Sequence, residues 1–235
     1  MMRKGSSYFS FLISCGYTFP INTKHRIAAI VLAAGASTRF GANKLLQPFG
    51  DETVIARVLR EVAASGCAPI VLVTGHDRER AQAAIPAPLR ERVTLAHNAH
   101  HAQGEMLSSV KTGLIALGRS DLYDQLKATL IIPGDMPLLT AGILQNVMNA
   151  CDPRECEIVV PKFKSQRGHP VLFARSLWAE LLALGPKQNP RDVLMAHPDA
   201  IHQIEIDDEA ILLDVDTPEK YEMALKRRWT MDDGR

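Results

Sequence analysis

Between Gly35 and Lys44 the chain gathers the residue types that hold a polyphosphate: Gly35-Ala36-Ser37-Thr38-Arg39-Phe40-Gly41-Ala42-Asn43-Lys44. Small residues let backbone N–H groups approach phosphate oxygens, and Arg39 and Lys44 bring neutralising charge. The spacing is not that of the common phosphate loops. G-x-x-x-x-G-K-[ST] fails, because five residues separate Gly35 from Gly41 and Lys44 lies three beyond. G-x-G-x-x-G also fails, and with it the dinucleotide fingerprint of a dehydrogenase. What remains is a longer pattern, L-A-A-G-x-S-x-R-x-G-x-x-K, running from Leu32 to Lys44.

Such a loop needs a strand to present it. Ile27 to Leu32 is an apolar run that reads as a buried parallel strand, and it leads straight into Gly35. Thr53 to Ala64 has apolar residues at helical spacing, with Gly66 as a stop. Ile70–Thr74 reads as a second strand, Asp77 as the cap of a helix that ends before Pro86, and Val93–Ala96 as a third strand. Helices are expected over Gln103–Leu117, over Ala141–Asn149 behind a Thr140 cap, and over Arg175–Leu184. Thr129–Ile132 is a buried strand, Ile158–Pro161 and Pro170–Phe173 pair around a polar turn, and Ile201–Ile206 and Leu212–Val215 are strand-like before a helix opened by Pro218. Alternating strands and helices predict an α/β fold, three-layered and Rossmann-like, with a mixed but mainly parallel central sheet. In such sheets ligands bind beyond the carboxyl ends of the strands. The Gly35–Lys44 loop, Thr74-Gly75-His76, Gly134-Asp135 and Asp214/Asp216 all follow strands and should meet there. Phosphate-bearing substrates at that edge suggest a metal-assisted displacement at phosphorus.

The Leu32–Lys44 pattern resembles the signature of the molybdenum cofactor cytidylyltransferases, within the wider group of nucleotidyltransferases that build dinucleotide forms of that cofactor. The resemblance spans about Arg26 to Leu225. It continues in order through Thr74-Gly75-His76, Ser108 to Leu114, Gly134-Asp135-Met136-Pro137, Arg167 to Phe173 and Asp214 to Pro218. It implies transfer of CMP from CTP to the phosphate of a molybdopterin-type cofactor with release of pyrophosphate, Mg²⁺ being the cofactor and a molybdoenzyme of the xanthine dehydrogenase type the recipient. Ala34 suits the cytidylyl relatives better than the guanylyl ones that use GTP. By the same resemblance the nucleotide would lie on Leu32, Ala33, Ala34, Gly35, Ser37, Gly41, Lys44, Thr74, Gly75, His76, Ser108 and Ser109. Arg39 and Lys44 would hold its phosphates. Asp135 and Asp216 would coordinate Mg²⁺, and Arg167, Gly168, His169 and Arg191 would hold the acceptor. Each position also has a plain structural use: a solvated lysine, a turn aspartate after Gly134, a helix-start Asp216 before Thr217-Pro218, a hairpin turn at Arg167–Pro170.

Two stretches depart from the relatives. Glu105-Met106-Leu107-Ser108-Ser109 stands where they read G-M-G-S-S, and Pro186 to Arg191 keeps only the arginine of G-D-x-G-A-R. The nucleotide half is intact and the acceptor half has drifted. Two alternatives therefore stay open: transfer to another phosphorylated acceptor, such as a sugar or polyol phosphate, and a non-catalytic carrier of the molybdenum cofactor.

The chain has 235 residues, 46% of them hydrophobic, and a formal net charge of +1. That predicts one sizeable core over residues 26–228 and no nucleic-acid partner. The basic cluster Lys226-Arg227-Arg228 is expected at the end of the last helix, where cations suit the helix dipole. Residues 1–25 carry a signal-like apolar run, but a cytoplasmic triphosphate enzyme is incompatible with export. They read as a dispensable extension, and 229–235 as a tail. Four cysteines without C-x-x-C spacing point to reduced thiols in the cytoplasm. No other stretch matches a membrane span.

Overall fold

A computed structural model describes residues 26–35, 40, 43–103, 106–151 and 157–232. Its strands are β1 (Arg26–Ala33), β2 (Pro48–Phe49), β3 (Glu52–Thr53), β4 (Ile70–Thr74), β5 (Val93–His97), β6 (Leu126–Pro133), β7 (Ile158–Phe163), β8 (Gln166–Arg167), β9 (Val171–Ala174) and β10 (Ile201–Glu205). The helices are α1 (Val54–Ala64), α2 (Arg78–Ala83), α3 (Met106–Leu117), α4 (Ala141–Asn149), α5 (Trp178–Ala183), α6 (Pro190–Ala196) and α7 (Pro218–Asp232).

The main sheet runs β10-β7-β9-β6-β1-β4-β5, with β8 paired to β7. β5, β4, β1 and β6 are mutually parallel, β7 and β10 are parallel, and β9 is antiparallel to both β6 and β7. β2 and β3 form a separate hairpin. Alternation along β1 explains the layers: Ala29 and Val31 face one core with α1 and α4, while Ala28 and Ile30 face another with α3, α5 and α6. Gly113 of α3 lies so close to β1 that an added Cβ would fall 2.4 Å from an Ile30 methyl. The α/β three-layer class with a mixed, mainly parallel sheet is what the sequence predicts.

Several local expectations change. Asp77 precedes α2 but its side chain does not cap it; the carboxylate instead accepts a 2.7 Å bond from Asn43 Nδ2. α3 starts at Met106 rather than Gln103, with a separate 3-10 turn over His101–Gln103. Leu212–Val215 is no strand. Asp208 caps a 3-10 turn over Glu209–Leu212, and the Val215 N–H goes to the carbonyl of Asp135 at 2.9 Å. α6 is an additional helix, opened by an Asn189/Asp192 capping box with Pro190 in its first turn. Lys226-Arg227-Arg228 lies inside α7, not at its end. Arg227 pairs with Asp208 at 2.6 Å and with Glu209, while Arg228 reaches the carbonyl of Phe49 and, at 3.1 Å, Asp51. These cations strap the last helix to the body of the domain. No described helix is long and apolar enough to cross a membrane.

Candidate active site

Strand register brings the chemistry-bearing exits together. Ala33 pairs with Thr74, Thr74 with His97, and Leu32 with Pro133, so β1, β4, β5 and β6 end side by side. β1 is the point at which the chain order reverses, β4 and β5 leading one way and β6 the other. That is a switch point of the kind that opens a crevice in doubly wound sheets. Gly134 closes the floor: its N–H donates to the Leu32 carbonyl at 2.9 Å, and a Cβ there would sit 2.7 Å from the same oxygen. Because β9 runs the other way, its preceding segment Arg167–Pro170 arrives at this same edge.

At the edge, Lys44 Nζ lies 2.5 Å from Asp135 Oδ2 and also contacts Asp216 Oδ1. Lys44 opens a 3-10 turn capped by Asn43, whose Oδ1 accepts from the Leu45 N–H at 3.0 Å. Asp135 follows β6, and the Val215 to Asp135 backbone bond draws Asp216 alongside. Burial is the largest single influence on the Lys44 ammonium and lowers its pKa. The two carboxylates together outweigh it, and the net effect is a pKa above the ordinary lysine value. Asp214 does not join this contact. It pairs with Lys220 at 2.5 Å and accepts from the Asp216 N–H, which makes it a brace for the turn.

On the β4–β5 side, Ala33 and Ala34 are buried, Leu32 is half-buried and Gly35 is exposed. Gly75 has no room for a side chain, since a Cβ would meet the Ala34 carbonyl at 2.5 Å and His101 Cβ at 2.6 Å. Thr74 is fully buried with its hydroxyl directed to the Ala96 carbonyl, leaving His76 exposed at the rim. Ser108 and Ser109 occupy the first turn of α3, and both accept from Nδ2 of Asn98, at 2.8 and 3.0 Å. Sequence reasoning did not pick out Asn98, although an Asn directly after a strand is a natural local hydrogen-bonding hub. It is 1% exposed, bonds the Thr74 carbonyl through its N–H, and accepts from His100 and His101. Ser37, Arg39 and Gly41 lie outside the described residues.

Arg167, Gly168, His169 and Arg191 border one cavity of about 740 Å³. Ile131, Val160, Phe173 and Leu194 give it an apolar lining, and no Asp or Glu is among its described lining residues. Gly168 is pinned: a Cβ would lie 2.4 Å from the Ile211 carbonyl oxygen, which already accepts from the His169 N–H at 2.8 Å. His169 Nδ1 is buried with no hydrogen-bond partner among the described residues. Burial pushes this imidazole below the usual histidine range, and the carboxylates of Asp135 and Asp214 only partly offset it. A folded-state pKa below the unfolded value means the unfolded chain binds the proton more readily, so His169 costs stability as pH falls below about 6.5. His169→Gln should therefore flatten the fall in Tm between pH 7 and 5 relative to wild type. Parallel Tm curves in that window would contradict a neutral, desolvated imidazole.

The comparisons with known proteins agree with this layout. Molybdenum cofactor cytidylyltransferase of Escherichia coli K12 is 29% identical over 210 residues, covering 87% of this chain and 97% of that protein. The bifunctional protein GlmU of Leifsonia xyli is 34% identical over 130 residues, 54% of this chain but 25% of that protein. Among solved structures, Rv0371c of Mycobacterium tuberculosis superposes with a TM-score of 0.71 at 25% identity, over 86% of this chain and 98% of that one. Rv0371c has also been solved in complex with manganese, matching at a TM-score of 0.69 and 24% identity. The MobA-like NTP transferase domain matches residues 29–201, nearly the whole of the sheet and every strand exit described above, and the chain belongs to that family as a nucleotidyltransferase.

Proposed function

We propose that the chain transfers CMP from CTP to the terminal phosphate of a molybdopterin-type acceptor, releasing pyrophosphate, with Mg²⁺ as its metal. The observation that carries this reading is the Lys44–Asp135–Asp216 contact at the switch point, on the same sheet edge as the arginine-rimmed cavity. The E. coli relative, a molybdenum cofactor cytidylyltransferase, is matched over nearly its full length.

The donor set suits a hard divalent cation. Two carboxylates already converge on one positive charge, and Mg²⁺ commonly takes one or two protein carboxylates beside substrate phosphates and water. Among the described residues no group of three or more His, Cys, Asp or Glu could hold a metal by itself, which fits a site completed by the nucleotide. Asp135 and Asp216 would hold the ion, which when bound neutralises the triphosphate and the departing pyrophosphate. The rest falls to the chain. The Gly35–Lys44 loop, with Arg39 and Lys44, grips the phosphates. Leu32 to Gly35, Gly75, His76, Ser108 and Ser109 frame the rest of the nucleotide. Arg167 and Arg191 draw in the anionic acceptor, while Gly168 and His169 shape the cavity wall. An oxygen of the acceptor phosphate attacks the α-phosphorus and the bond from Pα to the bridging oxygen of Pβ breaks. A phosphate monoester is already ionised at neutral pH, so the attack needs no general base.

The lack of a carboxylate among the described lining residues of the cavity favours a second acceptor class, since a pterin's amino edge is a natural partner for one. The test measures pyrophosphate release with Mg²⁺, pairing CTP or GTP with molybdopterin-type cofactor or with sugar and polyol phosphates. Turnover with CTP and cofactor, at least about tenfold faster than with GTP, is the expected result. Turnover confined to a sugar or polyol phosphate would replace the acceptor while keeping the transferase.

A further inference from the structure

Lys44 occupies the position that the proposed metal would need. Its ammonium bonds Asp135 Oδ2 at 2.5 Å and contacts Asp216 Oδ1, tying together segments 91 and 172 residues away in sequence. A divalent ion held by both carboxylates would need the same oxygens that the ammonium contacts. An ammonium and that ion cannot share the gap, because volume and like charge both forbid it. Resting on the nucleotidyl-transfer reading, we infer that Lys44 is a tethered place-holder for the metal, so that the site accepts a divalent cation together with a nucleoside triphosphate and not before it.

The local structure suits a side chain that swings while its backbone stays put. Leu45, next in the chain, is 4% exposed and packs in the core. Asn43 caps the turn through Leu45 and is itself anchored to Asp77 at 2.7 Å. Only the four-carbon stem of Lys44 need rotate. One ammonium offsets part of the charge of the two carboxylates and so limits their repulsion. A free metal ion would have to expel that ammonium without offering it another partner. A triphosphate would offer it anionic oxygens, freeing Asp135 and Asp216 to hold the metal that accompanies the nucleotide. The effective ligand of the site is thus the metal–triphosphate complex.

Mn²⁺ binding followed by electron paramagnetic resonance tests this on the full chain. The probes are Mn²⁺ alone and Mn²⁺ with α,β-methylene-CTP, whose bond at the α-phosphorus resists cleavage, each corrected for Mn²⁺ held by the analogue without protein. Wild type should bind Mn²⁺ at least about tenfold more tightly with the analogue than without it. Lys44→Met, which keeps the apolar stem, should bind Mn²⁺ alone at least about tenfold more tightly than wild type. Lys44→Gln, neutral and of similar reach, supplies the same comparison if Lys44→Met fails to fold, and a folded variant that binds Mn²⁺ alone no more tightly than wild type would overturn the place-holder. Tight Mn²⁺ binding by nucleotide-free wild type, unchanged by the analogue, would overturn the place-holder and leave the metal site in place. No protein-dependent Mn²⁺ binding in any sample would overturn both the place-holder and the metal-assisted transfer on which it rests.

Discussion

Replacing Asp135 with asparagine is expected to lower kcat by about a thousandfold or more with Mg²⁺ present, while Tm falls by no more than about 4 °C. The substitution keeps shape and removes one negative charge. Asparagine retains a carbonyl oxygen, but a neutral amide is a far weaker ligand for a hard dication than a carboxylate. Losing a group that stabilises developing charge at a preorganised site costs about 10²–10³ in rate, and losing the ion's anchor as well adds to that. The fold should survive, because the backbone carbonyl of residue 135 still accepts from Val215 and Lys44 still has Asp216 as a partner. A change of about 1 kcal/mol corresponds to roughly 2–4 °C for a chain of this size. Pyrophosphate release and circular dichroism melting on the same preparation separate the two effects. Turnover within about tenfold of wild type would remove Asp135 from the reacting centre.

Much of this arrangement is legible in the sequence because strand ends carry it. The apolar run Ile27–Leu32 reads as a buried strand, and a buried parallel strand must deliver its loop to the sheet edge where the other strands also finish. Lys44, Asp135 and Gly134 are therefore placed by topology before any coordinate is known. What the sequence hides are partners that depend on nonlocal registration. Local propensity around Asp214 and Asp216 does not say which of them turns to Lys44, and only the family resemblance singles out Asp216. One backbone bond, from Val215 to the Asp135 carbonyl, decides it. Gly168 is likewise visible as a glycine, but the carbonyl of Ile211 that requires it comes from a segment 43 residues on. Asn98 is a single polar residue whose five hydrogen-bond partners lie on three different segments. The capping box of α6 was readable in Asn189-Pro190-Arg191-Asp192, and its local pattern explains why Arg191 reaches the cavity although the flanking residues differ from those of the relatives.

Lys44→Met should lower kcat/KM for the triphosphate by about 10²–10³, the range for losing one preorganised charge at a phosphoryl centre. Lys44→Arg should recover little of it. A guanidinium is larger and planar, and the ammonium here is already held within 2.5 Å of Asp135 and against Asp216 in a half-buried gap. The same side chain therefore gives results of opposite sign. Removing its charge relieves competition for the two carboxylates, so metal binding in the absence of nucleotide improves. The charge is also missing when the triphosphate arrives, so turnover falls. A lysine acting only as a structural clamp between two acids would give a different pattern, with lower Tm and proportionate loss of activity as folded protein is lost. Steady-state kinetics referred to folded protein distinguish the two. If kcat/KM per folded molecule stays near wild type in Lys44→Met, Lys44 clamps the apo site and takes no part in transfer.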